Sequence, residues 1–173
     1  MLRKLLSMRK AAILRRWRAD IFAGYPPETS MFLQRESDRF SNPVGHAVNH
    51  GTEAIFQGIL DESSAGDLSH AMDEIIRIRA VQDFTPSQAV VFIFHLKKAV
   101  REELGDEIQI HGIEGELVEL ESRIDKIALL GFDIYTACRK KIDEIRAEQK
   151  QGQGLHRSGR RKSEPRNGRN ESE

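Results

Sequence analysis

Two arginines and an aspartate interrupt the otherwise apolar stretch "RIRAVQDFTPSQAVVFIFHLKKAV", residues 77–100. Arg79 and Asp83 are four residues apart, and on a helix this spacing predicts an ion pair. Arg77 faces a different direction from Arg79. We therefore predict that it pairs with a carboxylate on another helix, and the two candidates are Asp125 and Asp133. Burying an arginine is costly unless its charge is paired. We therefore predict that Arg77, Arg79 and Asp83 form a structural ion-pair network that orients three helices.

The same three residues also support a functional interpretation. Guanidinium groups present planar pairs of donors, and these match the acceptors of a carboxylate or a phosphate. A small-anion site at Arg77, Arg79 and Asp83 is therefore the alternative to the structural network.

The histidines raise the question of a metal or haem site. His46, His50 and Glu53 share one helix face, and imidazoles four residues apart can chelate a transition metal. This face lies opposite the apolar one, so a solvated polar face is the simpler interpretation. His95 stands on the most apolar helix, where a haem ligand and a core-edge histidine are both conceivable. We predict no cofactor and no metal, and we keep a haem or metal-binding sensor as the second alternative function.

Nucleophilic chemistry has little support in the sequence. Cys138 falls in the apolar stripe of a long helix, where a thiol is packed and inert. The serines and histidines form no recognisable catalytic motif, and no glycine-rich phosphate loop follows a strand. We predict that the chain is not an enzyme and has no catalytic residues.

Helical periodicity dominates the sequence, and no segment shows the alternation of a strand. The pattern predicts an all-α bundle of about six helices, over residues 2–23, 29–34, 43–60, 67–83, 86–104 and 113–148. The start of the fifth helix is predicted from three residues: Thr85, Pro86 and Gln88. Thr85 and Gln88 are spaced as a capping box, and Pro86 occupies the first helical position, where no N–H is needed.

The last helix is predicted to be the longest and carries a heptad pattern. Its apolar residues recur in steps of four and three, which is typical of bundle or coiled-coil packing. We expect this helix to mediate dimerisation or to transmit a conformational change, with four residues at its centre: Leu120, Ile124, Ile127 and Ile134.

Charge is distributed unevenly along the 173 residues, although the formal net charge is zero. Residues 1–18 hold seven basic and no acidic residues, and residues 150–173 hold seven basic and three acidic ones. The 13 basic and 24 acidic residues between these ends give the body a net charge of −11. The basic ends could contact an anionic membrane surface, a partner protein or the acidic body itself. Nucleic acid is an unlikely partner because no recognition helix or interleaved aromatic pattern is present.

Composition favours a single domain in a reducing compartment. One cysteine rules out an intramolecular disulfide, no apolar run is long enough to span a bilayer, and the N-terminal segment is too charged for a signal peptide. We predict a cytoplasmic protein with one helical domain over residues 1–149. Residues 150–173 contain no aromatic side chain. Because such a segment cannot build an apolar core, we predict that it is a disordered basic tail.

Three segments resemble the N-terminal domain of RsbRD, an RsbT co-antagonist protein. They are "DRFSNPVGHAV" (38–48), "IIRIRAVQDFTPSQAVVFIFHLKKAVREELG" (75–105) and "LESRIDKIALLGFDIYTACRKKIDEIR" (120–146). The tryptophan of "ILRRW" and the following "YPPETSMFL" also fit. The resemblance covers about residues 5–149.

This resemblance implies an all-helical, dimerising sensory module, similar to the haem-free, globin-like inputs of stressosome proteins. It implies signal transduction and stress response by protein–protein interaction, without enzymatic activity. Co-antagonists carry a C-terminal STAS domain, and its absence here predicts a stand-alone version. Stand-alone relatives occur near genes for membrane redox complexes, which makes an accessory subunit that docks on such a complex the first alternative.

Overall fold

The computed structural model describes residues 1–35 and 38–160, with side chains up to residue 150. This part of the chain contains helices and no strands, so the predicted all-α class is confirmed. In chain order the helices are α1 (Leu2–Phe22), α2 (Pro27–Arg35), α3 (Pro43–Leu60), α4 (Ala65–Val81), α5 (Pro86–Leu104), α6 (Glu107–Ile110) and α7 (Glu114–Arg160). The four-residue α6 lies in a segment that was expected to be a loop. The globin-like comparison stays a prediction.

Polar side chains define the starts of the central helices. Asn42 accepts a hydrogen bond from the Gly45 N–H at the start of α3 and donates another to the Leu33 carbonyl of α2. At the start of α5, Thr85 accepts from the Gln88 N–H while the Gln88 side chain accepts from the Thr85 N–H. These bonds satisfy N–H groups that a helix leaves unpaired at its first turn.

Helix α1 is central to the bundle and packs against α5 and α3, while α3 also packs against α4. Its apolar residues Leu6, Ile13 and Ile21 are buried, and Trp17 is completely inaccessible to solvent. The Trp17 indole Nε1 donates a hydrogen bond of 2.6 Å to the Phe92 carbonyl of α5. A buried indole needs such an acceptor, so this bond fixes where α1 lies on α5.

The cations of α1 form ion pairs with the acidic body of the same chain. Arg16 contacts Glu102 and Glu103 of α5 at 3.0 and 2.8 Å. Four further cations of α1 lie within 4 Å of a carboxylate outside this helix: Arg3, Arg9, Lys10 and Arg18. These contacts favour the acidic body as the partner of the basic N-terminal helix. Among the helices that the structure describes, none is long and apolar enough to cross a membrane.

The heptad residues of α7 pack inside their own chain. Leu120, Ile124 and Ile127 are buried, and Ile134 is half-buried. Gly131 lies against Ile93 and Val90 of α5 and Ile76 of α4, so close that an added Cβ would stand 2.9 Å from the Ile93 Cδ1. These residues pack within the chain, and the expectation that this stripe mediates dimerisation or transmits a conformational change stays a prediction. A heptad pattern indicates close helix packing, and here the neighbouring helices belong to the same chain.

The chain divides into two units, Met1–Cys138 and a second that begins at Arg139. Helix α7 extends to Arg160, and the expectation of a disordered tail over residues 150–173 stays a prediction. The rest of the expected tail lies outside the described residues, and the domain boundary after residue 149 stays a prediction.

Glu62 ends α3 in a conformation that suits glycine. Its φ is +54°, and the Ser63 N–H donates to the Gly58 carbonyl at 2.8 Å, as in a Schellman motif. The left-handed conformation costs an L-residue roughly 1–2 kcal/mol. The exposed pair between Glu62 and Arg123, at 3.4 Å, offsets at most about 1 kcal/mol of this cost.

We therefore predict that Glu62→Gly unfolds at a higher denaturant concentration than Glu62→Ala. Both variants lose the pair with Arg123, but only glycine relieves the backbone, so the free energy of unfolding should differ by about 1 kcal/mol. Urea unfolding followed by circular dichroism measures this difference. Equal stability of the two variants would show that the backbone is not strained at this position.

Candidate functional site

Arg79 is the most unusual residue of the core. It lies in the last turn of α4, and only 3% of its surface is exposed. Its Nη1 donates a hydrogen bond of 2.8 Å to the Gln88 carbonyl in the first turn of α5. Burial lowers the pKa of Arg79, which Tyr25 opposes, but an arginine keeps its proton in a protein. The helix junction therefore holds a full positive charge.

Three aromatic rings surround this charge. The Arg79 Cζ lies 5.2 Å from the ring centroids of Phe84 and Phe92 and 6.0 Å from that of Tyr25. Ring faces carry partial negative charge, and a cation within about 6 Å is stabilised by it. We name these four residues the Arg79 cage. The rings and the Gln88 carbonyl compensate Arg79, in place of the predicted pair with Asp83.

The end of α4 explains why Phe84 reaches Arg79. Asp83 adopts a φ of +58°, the Phe84 N–H donates to the Arg79 carbonyl, and the Asp83 N–H donates to the Ala80 carbonyl. These two bonds form a Schellman motif, which brings the side chain after the left-handed residue next to one in the last helical turn. Asp83 thus shapes the turn that places the Phe84 ring on the guanidinium.

The other two rings come from distant parts of the chain. Phe92 stacks on Trp17 of α1, with ring centroids 6.4 Å apart and an interplanar angle of 14°. Tyr25 follows α1, tilts against Phe84 and donates from its hydroxyl to the Gln82 side chain. Burial raises the pKa of Tyr25, and the charge of Arg79 partly opposes this shift. The cage therefore joins the ends of α1 and α4 to α5.

Helix α7 contacts the cage through Tyr135. Tyr135 is buried, and its hydroxyl donates to the carbonyl of Phe84. Phe84 thereby contacts Arg79 with its ring and α7 with its backbone. A movement of the α4–α5 turn would change both contacts together.

His95 lies beside the cage and is half-buried on α5. Its Nδ1 is buried without a hydrogen-bond partner, as is the Nε of Arg79. Burial lowers the pKa of His95; Asp20 opposes this shift, and the positive charges of Arg79 and Lys98 add to it.

The Nε of Arg79 is the donor that a small anion would meet, so the anion-site hypothesis now rests on Arg79 alone and stays a prediction.

Comparison with known proteins assigns this chain to a family. The family model of the RsbT co-antagonist protein RsbRD N-terminal domain matches residues 11–150 of the sequence, and this range includes every residue of the Arg79 cage. This chain belongs to the RsbRD N-terminal domain family. The family consists of regulatory domains of stress-response signalling, and it is not an enzyme family. No STAS domain is detected in the chain.

One relative of this RsbRD N-terminal domain comes from Archaeoglobus fulgidus. That uncharacterised protein is 29% identical over 93 residues, which is 53% of this chain and 58% of the relative. The match thus spans less than two thirds of the relative's length. No solved structure matches the chain.

Arg77 has a different environment from the one predicted for it. Its Nε pairs with Asp73 one turn earlier on α4, and the side chain is largely exposed. The candidate partner Asp125 instead pairs with Lys97 of α5. Arg77 therefore pairs within α4 and not with the predicted carboxylate of another helix, because Asp73 lies one turn away on the same exposed face.

The histidines of α3 lie close together at the surface of this RsbRD N-terminal domain. The His46 and His50 rings have centroids 4.1 Å apart, and Lys10 pairs with Glu53 at 3.1 Å. Within residues 1–35 and 38–150, no group of three or more His, Cys, Asp and Glu side chains is arranged to hold a metal ion.

Sequence reasoning identified Arg79 but missed the rings around it. Phe84 could have been found from the sequence. Asp83 can end a helix, and an aromatic residue directly after it suggests the Schellman motif that brings Phe84 next to Arg79. Tyr25, Phe92 and Tyr135 carry no local signal, since their contacts with the cage depend on how the helices pack.

We predict that Arg79→Lys lowers the free energy of unfolding by roughly 2–3 kcal/mol. A buried ammonium lacks the planar group that lies on the rings, and it is desolvated without a comparable acceptor. Arg77→Lys is the matched control, because an exposed ion pair contributes at most about 1 kcal/mol. Chemical denaturation measures both variants. A comparable small loss in the two variants would contradict the importance of the cage.

We also predict that His95 makes the domain sensitive to acid. Because its folded pKa is below the ordinary 6.5, the unfolded chain binds the proton first as the pH falls. The stability contributed by the neutral imidazole is complete above about pH 6.5 and is lost as the pH falls through the folded value.

Thermal unfolding between pH 5 and pH 7.5 measures this effect. His95→Gln should flatten the decline of the melting temperature below pH 6.5, while His70→Gln, at an exposed position of α4, should leave the slope unchanged. An unchanged slope in His95→Gln would exclude His95 as the titrating group.

Proposed function

We propose that this RsbRD N-terminal domain is a non-enzymatic regulatory module that responds to a signal or partner by repacking the Arg79 cage. Helix α7 then carries the change towards the contact that the domain makes with a partner protein. The observation that supports this proposal is the double role of Phe84, whose ring covers Arg79 and whose carbonyl accepts from Tyr135 of α7.

The charge of Arg79 makes the junction responsive. Its compensation depends on rings from three segments of the chain. Cation–π contacts weaken when the cation leaves the ring face. A small rotation of α4 against α5 would therefore change the energy of several contacts at once, which is the property that a two-state element requires.

Close packing makes α7 follow such a rotation. Gly131 brings α7 against Ile93 of α5 and Ile76 of α4 at the same place. Side chains in a packed core interdigitate, so helices exchange discrete arrangements more readily than they deform continuously. A change in the α4–α5 angle would displace Ile76 relative to Ile93, and α7 would have to shift with them.

A double-mutant cycle tests the coupling between the cage and α7. The single variants Arg79→Lys and Tyr135→Phe and the double variant should show an interaction free energy of at least about 0.5 kcal/mol, because both contact Phe84. The matched cycle of Arg77→Lys with Tyr135→Phe should be additive, since Arg77 lies outside the cage.

Hydrogen exchange gives an independent measurement of the same coupling. Arg79→Lys should speed amide exchange in residues 124–138 of α7, and Arg77→Lys should not. Additive free energies in the Arg79 cycle, together with unchanged exchange in α7, would reject the proposed transmission.

A further inference from the structure

Two histidines lie side by side on the outer face of α3, within the first two turns of the helix. His46 and His50 are four residues apart, a spacing that makes side chains neighbours on a helix. Their rings are in contact, with centroids 4.1 Å apart and planes that differ by 38°. His50 is exposed and His46 is half-buried, so a solvated ion reaches both imidazoles without any opening of the bundle. We name these two residues the His46–His50 pair.

The surroundings of the His46–His50 pair attract cations. The pKa of Asp38 lies below its usual range, mainly because the Ser41 N–H donates to the carboxylate, and a protonated His46 adds to this shift. Asp38 is therefore a negative charge near the pair, and it compensates the positive end of the α3 dipole. The body over residues 19–149 carries a net charge of −11, which raises the local concentration of cations further.

The carboxylate on the other side of the pair is already engaged by α1. Glu53 follows His50 by one turn, and its side chain lies 3.1 Å from the Lys10 Nζ and 3.7 Å from the Arg18 guanidinium. These cations neutralise Glu53 and keep it from acting as a third ligand. The pair thus offers two protein ligands, in agreement with the lack of a three-residue metal group among the side chains that the structure describes.

We propose that the His46–His50 pair binds a divalent transition-metal ion of the class of Zn²⁺, Ni²⁺ and Cu²⁺, with water completing the coordination. Imidazole nitrogen suits these ions, whereas Mg²⁺ and Ca²⁺ prefer oxygen ligands. The spacing in the sequence left a solvated polar face as the simpler interpretation, and the contact between the two rings is the observation that favours a metal site. Helix α3 contributes no residue to the Arg79 cage, so this proposal is independent of the function proposed above.

The arrangement of the rings is close to that of a chelate. Two nitrogens bonded to one tetrahedral zinc ion at about 2.0–2.1 Å are roughly 3.3 Å apart. The two ring planes must also meet at the ion, so the angle between them has to widen from 38°. Rotation about the bond between Cβ and the ring provides this change, because that torsion is broad in histidine. Both side chains therefore reach one ion without movement of the α3 backbone.

A bound ion would join the first two turns of α3. The His46 N–H donates to the Asn42 carbonyl, and the Asn42 side chain donates to the Leu33 carbonyl of α2. The ion would therefore stabilise the place where α3 begins and contacts α2. The availability of the metal would then be read at the α2–α3 junction, at the opposite end of α3 from its turn at Glu62.

Isothermal titration with Zn²⁺ tests the site in the full chain, prepared without an affinity tag and freed of metal. We expect one ion per chain, and an excess of Mg²⁺ should not compete for it. His46→Gln and His50→Gln should each weaken binding at least about tenfold, a loss that follows even when a group that only orients a metal ligand is removed. The matched control is His70→Gln, at an exposed position of α4, and it should bind Zn²⁺ like the unmodified chain.

Cu²⁺ gives a second readout that does not depend on affinity. Electron paramagnetic resonance of the Cu²⁺-loaded chain should show nitrogen coupling from two imidazoles, and the His70→Gln variant should give the same spectrum. His46→Gln and His50→Gln should each show one imidazole at most. Circular dichroism should show all three variants folded, because the substituted side chains lie outside the core.

No binding of Zn²⁺, or binding that survives both His46→Gln and His50→Gln, would overturn the proposal. An equal loss of binding in His70→Gln would also overturn it, because it would indicate independent surface histidines. So would a Cu²⁺ spectrum of the unmodified chain with coupling from a single imidazole.

Discussion

Arg79 carries a full positive charge in a nearly closed core, and the surrounding helices are arranged to compensate it. The compensation comes from the faces of three rings and one helix carbonyl. Two of the rings depend on further neighbours, because Phe92 stacks on Trp17 and Phe84 is placed by the turn at Asp83. The angle between α4 and α5 is therefore tied to the geometry of a single guanidinium.

Much of the fold follows from local patterns in the sequence. Helical periodicity and the capping residues of α5 predicted helices within a few residues of their observed bounds, because periodicity and caps act over one or two turns. Helix α6 was missed because four residues are too short for a periodic pattern. The heptad stripe of α7 indicated close packing but could not reveal whether the neighbouring helix belonged to the same chain.

The candidate site was predictable only in part, for a related reason. An arginine in an apolar helix indicates that some compensation is present, but its nature depends on tertiary packing. The spacing of Arg79 and Asp83 suggested an ion pair, which a helix continuing through both residues would allow. The helix ends before Asp83, and the backbone reversal brings an aromatic ring to the place where the carboxylate was expected.

The turn at Asp83 has an evolutionary consequence. It makes residues 79 and 84 neighbours through the backbone alone, so a replacement at either one changes the surroundings of the other. A lineage that loses the arginine would leave three rings facing an apolar side chain, and a lineage that loses the rings would strand a buried charge. We therefore expect the arginine and its aromatic neighbours to be inherited together in RsbRD N-terminal domains, and to disappear together where the junction has been rebuilt as an ordinary apolar core.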